Sequence, residues 1–565
     1  MNVVNAIRFY VKKFTEESGA GMKILLLDNE TKSIVSVAFS QSEIANKEVY
    51  LFDLLENQNR DHMKHLKCIC FLRPTKQNLI NLSRELKNPK YGQYYIYFTN
   101  TIEKMDVKSL AESDEQEVVR EVQEYFADYV ALGYHVFSLN IPKCGELNKW
   151  NEANLKRTAQ GLISVLLSLK KSPVIRYQAS FEMCRKLAES VRNIISRDSN
   201  LFDFRQTDPA PVLLIIDRRE DPVTPLLNQW TYQAMVHEQF GIRNNIVNLK
   251  EVPGISKELE EIILSAEYDD FYEKSMFLNY GEICIKIKEL MEDFQKKSQS
   301  NTKVETIADM KAFVENYPQF KKMSGTVAKH VTLVSELSRL VSEYNLLEVS
   351  ETEQQLACQE DHSDSLQKIR NLIKNPRVRT YDILRSVCLY ALRYEKSNNS
   401  GLNSLKNALL ERGGLTSDQK DFLNRICSYG GVNYREADLF LNQNAMAFTK
   451  RILKGFKGVD NVYTQHTPLV KDLVEQLIKG RLKETSYPFL GNTIRDKPQE
   501  IIIFVVGGIT SEETLAIHNI NKAYAGNIKV IIGGTYLHNF KTFIDEVNSL
   551  VNDFKDRTRA NVRNL

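Results

Sequence analysis

Pro211-Val-Leu-Leu-Ile-Ile216 runs straight into Asp217-Arg-Arg-Glu-Asp-Pro-Val-Thr-Pro225, and this junction decides the fold. Five consecutive aliphatic residues with no polar alternation read as a strand covered on both faces. The charged, proline-bearing turn after it leads into an aromatic helix over 229–240. Strand, turn and helix in that order form the repeating unit of a parallel α/β sheet. Asp217 and Asp221 stand at the strand's end, a common place for working carboxylates in such sheets. Arg218 and Arg219 follow Asp217 directly and spoil an Asp-x-Asp arrangement. A turn set by Pro222 and Pro225, with arginine–carboxylate pairs fixing a junction, suits these residues better.

Working outward, the C-terminal segment repeats the pattern. Glu500-Ile-Ile-Ile-Phe-Val-Val506 ends at Gly507-Gly508, and Lys529-Val-Ile-Ile532 ends at Gly533-Gly534. Two strands alone make a poor domain, so they are expected to join the sheet begun near residue 135. Helical periodicity dominates between, from about 242 to 480, which makes that region an insertion. In it, Pro318 divides a helix ending near Tyr317 from a long helix over 327–347. The long helix carries Val331 and Val334 on one strip and Leu333, Leu337 and Leu340 on the next. So wide an apolar surface needs packing on more than one side.

The N-terminal third alternates strands and helices. Strands are expected at 22–28, 33–39, 48–51, 67–72 and 94–98, with a helix at 75–87. Ser113-Asp-Glu-Gln116 fits a capping box, and Val118, Val122, Tyr125 and Tyr129 would continue one face of an acidic helix. A strand over 136–141 and a helix over 154–169 open the second unit. The fold class is therefore α/β plus α: domain 1 over 1–132, domain 2 over 133–241 and 481–565, and a mainly helical domain 3 over 242–480, with a hairpin near 300–350.

Composition narrows the function. The chain has 565 residues, 42% hydrophobic and 26% charged, with 75 Lys and Arg against 72 Asp and Glu. That balance is globular, and no basic stripe with interleaved aromatics marks a nucleic-acid binder. Eight scattered cysteines lack framework spacing and read as reduced cytosolic thiols. Arg8, Lys12 and Lys13 interrupt any signal-peptide core, and the last four residues form no lipidation box. Any membrane role is expected to come through a partner.

Catalytic motifs are mostly missing. There is no phosphate-binding GxxxxGK[ST] loop and no GxSxG elbow. His237-Glu238 begins like a zinc-protease motif, but Gly241 stands where the second histidine belongs. His62, His65, Cys68 and Cys70 form the most metal-like cluster, yet Cys68 and Cys70 alternate onto one face of an expected strand, as core thiols do. The glycine pairs suit close turns over the sheet edge more than anion binding. No metal or cofactor is expected. The alternative reading is an α/β enzyme acting at Asp217, Asp221 or the glycine turns.

The stretch from Leu213 to Ile242, with Asp217-Arg-Arg-Glu-Asp-Pro-Val-Thr-Pro225 and Trp230-Thr-Tyr-Gln-Ala-Met-Val-His-Glu238, closely resembles the signature of the SM family. These are the Sec/Munc-like regulators of SNARE-mediated membrane fusion. Val505-Val-Gly-Gly-Ile-Thr510 and Ile532-Gly-Gly-Thr-Tyr-Leu-His-Asn539 match two C-terminal blocks of the family. Phe71-Leu-Arg-Pro-Thr75, Tyr317-Pro-Gln-Phe-Lys-Lys-Met-Ser-Gly-Thr326 and Asn461-Val-Tyr-Thr-Gln-His466 point to its endosomal and trans-Golgi branch.

The resemblance implies a three-domain arch and no enzymatic activity. It implies binding to a syntaxin-16-type Qa-SNARE, an R-SNARE and the assembled SNARE complex, with templating of the pairing between the Qa- and R-SNAREs. It further implies a monomer that attaches peripherally to trans-Golgi and endosomal membranes through SNAREs. By the same resemblance, Val107, Leu110 and Glu124 form a pocket for the Qa-SNARE's N-terminal peptide, the first two taking an apolar side chain and Glu124, on the acidic helix, a basic one. Tyr317, Pro318, Gln319, Val331 and Val334 belong to the templating hairpin.

Overall fold

The computed structural model of the chain describes residues 1–551 except 147, 206, 302–306, 360, 398–400, 441–462 and 495; at 297–301 and 307–322 it describes the helical backbone alone. Two sheets organise the α/β parts. The first has five parallel strands in the order Val49–Leu54, Lys23–Leu27, Met63–Leu72, Tyr91–Phe98 and Val119–Glu124. The second has six, in the order Val174–Tyr177, Val212–Asp217, Glu500–Val506, Lys529–Gly534, Val136–Ser138 and Val130–Gly133. All neighbours in it are parallel except the last pair.

The C-terminal strands thus complete the sheet of the signature strand, as their sequence implied. Val212 pairs with Ile501, Asp217 with Val506, and Phe504 with Gly533. Alternation sorts the side chains. Leu213, Ile215, Ile502, Phe504 and Ile531 enter the large core shared with helices Glu152–Ser168 and Phe540–Val551. Val212, Leu214, Ile503, Val505 and Ile532 face the other way, under helices Leu469–Ile478 and Ser511–Ala523. Burial on both faces explains the unbroken aliphatic runs. The change of sheet comes at Val130, slightly ahead of the expected boundary at 133.

Three local expectations fail. Residues 33–39 are helical, not a strand: helix Asn29–Ala38 starts from a capping box in which Asp28 accepts Thr31 N–H. The acidic helix from Ser113 does not form. Helix Lys104–Ser113 ends there, and Val119–Glu124 is the edge strand of the first sheet. Asp114 caps the strand's entry instead, accepting from Val118 N and Val119 N at 2.9 Å each.

The third failure lies in the insertion. One helix, Ile307–Glu343, runs through Pro318, so no break falls at Tyr317. It packs along helix Tyr280–Asn301. The helix stops where Asn345 turns left-handed, at φ 52°. The insertion also holds a three-stranded antiparallel sheet, Ile242–Arg243, Ile246–Asn248 and Glu261–Ile263, before its helices.

Candidate partner-binding surfaces

The signature turn is the most charged buried place in the chain. Asp217 holds Arg219 bidentately, at 2.7 Å to Nε and 2.6 Å to Nη2. Arg218 reaches Glu513 at 2.6 Å, and its other terminal nitrogen lies 3.7 Å from Asp221. Asp221 accepts from Val223 N, Thr224 N and Thr224 Oγ1 and from Leu469 N, which ties the signature to the chain returning from the insertion. Burial works against the Arg218 charge, but Glu513 and Asp221 outweigh it and hold the guanidinium's pKa above its usual value. Burial likewise opposes the Asp221 carboxylate, and Arg218 brings its pKa below the usual range. Carboxylates committed in this way act as fasteners rather than proton carriers.

The glycine pairs close over this network. Gly507 and Gly508 have φ of 85° and 88°. A Cβ on Gly508 would lie 2.3 Å from the His538 ring, and one on Gly533 would lie 2.2 Å from Phe137. Gly534 sits under Val505 O at 3.0 Å on the same measure. His538 is buried against Arg218, and the two effects together lower its pKa to about 3. Pro222 packs on Gly430, whose own Cβ would meet the proline ring at 2.8 Å, and Pro225 starts a short buried 3-10 turn.

The other metal-like and catalytic residues are dispersed. His62 and His65 are exposed while Cys68 and Cys70 lie in the core beneath the first sheet. Among the described residues no group of three metal-ligating side chains converges. His237 is buried and accepts from Ile242 N at 3.0 Å.

On the first sheet, Val107 and Leu110 lie one turn apart on helix Lys104–Ser113. Val107 is 37% exposed, whereas Leu110 is 4% exposed and packs into the core with Leu82 and Leu86. Leu110 also floors a shallow groove against helix Lys76–Lys87. The groove walls carry Lys76, Arg84 and Lys87 against Asp106, so the charge beside Leu110 is mixed. Glu124 is not on a helix. It ends the edge strand, and its carboxylate accepts from Ile102 N at 2.7 Å, which pins the loop that leads into the Val107 helix.

In the insertion, Val334 is buried and Val331 half-buried against Leu337 and against Trp230 and Tyr232 of the signature segment, so this strip faces the inside of the chain. Tyr317, Pro318 and Gln319 lie on the helical backbone, with side chains outside the described residues. Sequence reading missed the residue that fastens this helix. His330 is fully buried, 2.8 Å from Asp269 Oδ2 through Nε2 and 2.8 Å from the Tyr232 hydroxyl through Nδ1. With Nε2 protonated it donates to the carboxylate and accepts from the phenol. A lone histidine among aliphatic residues carries no sequence signal of this role. The two α/β–helical parts also meet directly: Arg8 bonds Glu43 and the Tyr268 hydroxyl, and Asn244 donates to Ser33 Oγ at 2.8 Å.

The family model described as the Sec1 family matches residues 23–546. The chain belongs to the Sec1 family. Within that family it is 56% identical over 549 residues to vacuolar protein sorting-associated protein 45 of Rattus norvegicus, covering 97% of this chain and 96% of the relative. The human protein of that name gives the same figures, and the Saccharomyces cerevisiae one is 36% identical over 578 residues, covering 97% and 100%. Among solved structures, the SM protein Vps45 in complex with the Qa SNARE Tlg2 superposes with a TM-score of 0.91 at 46% identity, covering 98% of both chains. An Unc18–syntaxin 1 complex from Monosiga brevicollis, at 18% identity and TM-score 0.77, shares the fold. The Sec1-family fold thus accounts for the split sheet, and among the described residues no helix is long and apolar enough to cross a membrane.

Proposed function

We propose that this Sec1-family chain binds a syntaxin-type Qa-SNARE and chaperones SNARE complex assembly in endosomal, trans-Golgi or vacuolar traffic, without enzymatic activity. The observation that carries this reading is the match, over 98% of both chains, to an SM protein solved with its Qa-SNARE. The commitment of Asp217 and Asp221 to arginines, backbone and Thr224 supports it against the enzyme reading.

In finer detail, the partner is a syntaxin-16-type Qa-SNARE, joined by an R-SNARE as the complex assembles. The protein works as a monomer and reaches trans-Golgi and endosomal membranes peripherally, through SNAREs. Val107, Leu110 and the loop pinned by Glu124 form the N-peptide site. The helix pair Tyr280–Asn301 and Ile307–Glu343 is the templating element, with Tyr317, Pro318 and Gln319 on its outer part and Val331 and Val334 at its base. The division into 1–132, 133–241 with 481–565, and 242–480 is the domain plan of this proposal. Calorimetry with the cytosolic part of such a Qa-SNARE, with and without its N-terminal peptide, tests it. Binding that drops when the peptide is removed is expected; absence of binding to either form overturns the reading.

A further inference from the structure

At the opposite end of the six-stranded sheet from the signature turn, a cavity of about 350 Å³ opens beside the edge strand Val174–Tyr177. Its lining brings together Lys170, Lys171, Arg192 and Arg205 from three separate segments, and among the described residues no acidic side chain lines it. Four like charges around one concavity repel unless something answers them.

Two of the four are partly accounted for. Lys171 pairs with Glu500 at 2.6 Å. Lys170 follows the C-terminus of helix Glu152–Ser168, where a cation suits the helix dipole. Arg192 and Arg205 are exposed at the mouth of the cavity and have no protein partner of this kind. Among the described residues neither has an ion-pair or hydrogen-bond partner. The Arg192 guanidinium lies against Gly491, where a Cβ would stand 3.2 Å from its Cζ; the glycine, at φ 93°, leaves that wall open to it. Ser172 and Asn492 add neutral polar groups to the lining.

We propose that this cavity binds a compact polyphosphate of the inositol phosphate class, free or as the headgroup of an anionic lipid. The volume falls in the range of small-ligand sites, and planar guanidinium groups match phosphate oxygens bidentately. The small volume of this open cavity favours a ring-sized headgroup over an extended phosphopeptide, which needs a groove for its backbone. The site lies apart from every residue assigned to SNARE binding, so it stands independently of that assignment.

The test uses the full chain and two probes: inositol hexakisphosphate in solution, and phosphatidylcholine vesicles with or without phosphatidylinositol bisphosphate. The Arg192→Glu/Arg205→Glu double variant is compared with Lys186→Glu, a charge reversal at an exposed, neighbouring position on the Arg192 helix. Affinity for a probe is expected to fall at least about 25-fold in the double variant, about fivefold for each cation lost, and little in the control. Circular dichroism and Qa-SNARE binding are expected to stay at wild-type values. Selective loss with the vesicles identifies a lipid headgroup; selective loss with the soluble probe alone identifies a free polyphosphate. No binding of either probe, or equal losses in the double variant and the control, overturns the proposal.

Discussion

The carboxyl ends of the two parallel sheets make opposite use of charge. At the signature turn Asp217, Arg218, Arg219 and Asp221 are buried and committed to one another, to Glu513 and to the returning chain. On the first sheet, the loop and helix after Tyr91–Phe98 leave Val107 and Met105 exposed beside a groove of mixed charge. In α/β enzymes the first kind of place holds the reacting groups. Here it is a closed fastening, and the surface offered to other molecules lies elsewhere. The lesson is that carboxylates at a strand end mean little until their partners are counted.

The contrast breaks most readily at Asp217. Asp217→Ala strands a buried guanidinium on Arg219 and is expected to cost about 3–5 kcal/mol, read as a lowered denaturation midpoint. A loss below about 1 kcal/mol would reduce the pair to the worth of a surface bridge. Gly533→Ala drives a methyl into Phe137 and is expected to cost roughly 1–3 kcal/mol by overpacking. Adding Phe137→Leu should recover part of that loss; no recovery would place the strain in the backbone rather than the ring.

Acid sharpens the comparison next. His538 is neutral in the fold, with a pKa near 3 set by burial and Arg218, below its ordinary value of 6.5. The unfolded chain takes up this proton from about pH 6.5 downward, so the group's stabilisation is complete above that pH and declines as pH falls toward 3. Wild type should therefore lose about 0.7 kcal/mol per pH unit near 6.5, rising to about 1.4 kcal/mol per unit below about pH 5.5, relative to His538→Gln. Parallel stability curves for the two proteins between pH 5 and 7 would contradict this. The difference must be measured because burial raises Glu546 to about 7, and that group changes stability in the opposite sense over the same range.

The smallest effect on folding is expected on the open side. Val107→Arg should shift stability by no more than about 0.5 kcal/mol, since the side chain is partly exposed. Under the proposed function it should still weaken N-peptide binding roughly tenfold, read by calorimetry. Leu110→Arg mixes the two properties, because Leu110 belongs to the core. If Val107→Arg destabilised the fold as much as Leu110→Arg, the helix would be internal structure rather than a receiving surface.

Much of the architecture was legible because strands covered on both faces leave unbroken aliphatic runs. Val212–Asp217, Glu500–Val506 and Lys529–Gly534 all declare themselves in this way. The edge strand Val119–Glu124 did not. It is half exposed and acidic, and Val118, Val122, Tyr125 and Tyr129 happen to follow helical spacing across a turn, the strand and the loop after it. Helix Asn29–Ala38 was misread from its β-branched residues, although Asp28 and Thr31 already spelled a capping box. The hairpin at Asn244 and Asn245, both left-handed at φ 53° and 62°, had a readable turn signal between Ile242-Arg243 and Ile246-Val247. At the proposed binding surface, the types of Val107 and Leu110 carried no hint that one faces outward and the other inward. That distinction comes from packing against helix Lys76–Lys87, which no local pattern encodes.

The pairing of Val212–Asp217 with Glu500–Val506 also sets a schedule for synthesis. The five strands of the first sheet leave the ribosome in one continuous stretch and have all their neighbours by residue 124. The signature strand emerges with its inner edge unpaired and waits for nearly the whole insertion to be translated. Leu469 reaches its charged turn only near the end of the insertion, and Glu513 only after Glu500–Val506. A chain cut short before residue 500 therefore retains a complete first sheet and an aliphatic edge open to aggregation and to chaperones.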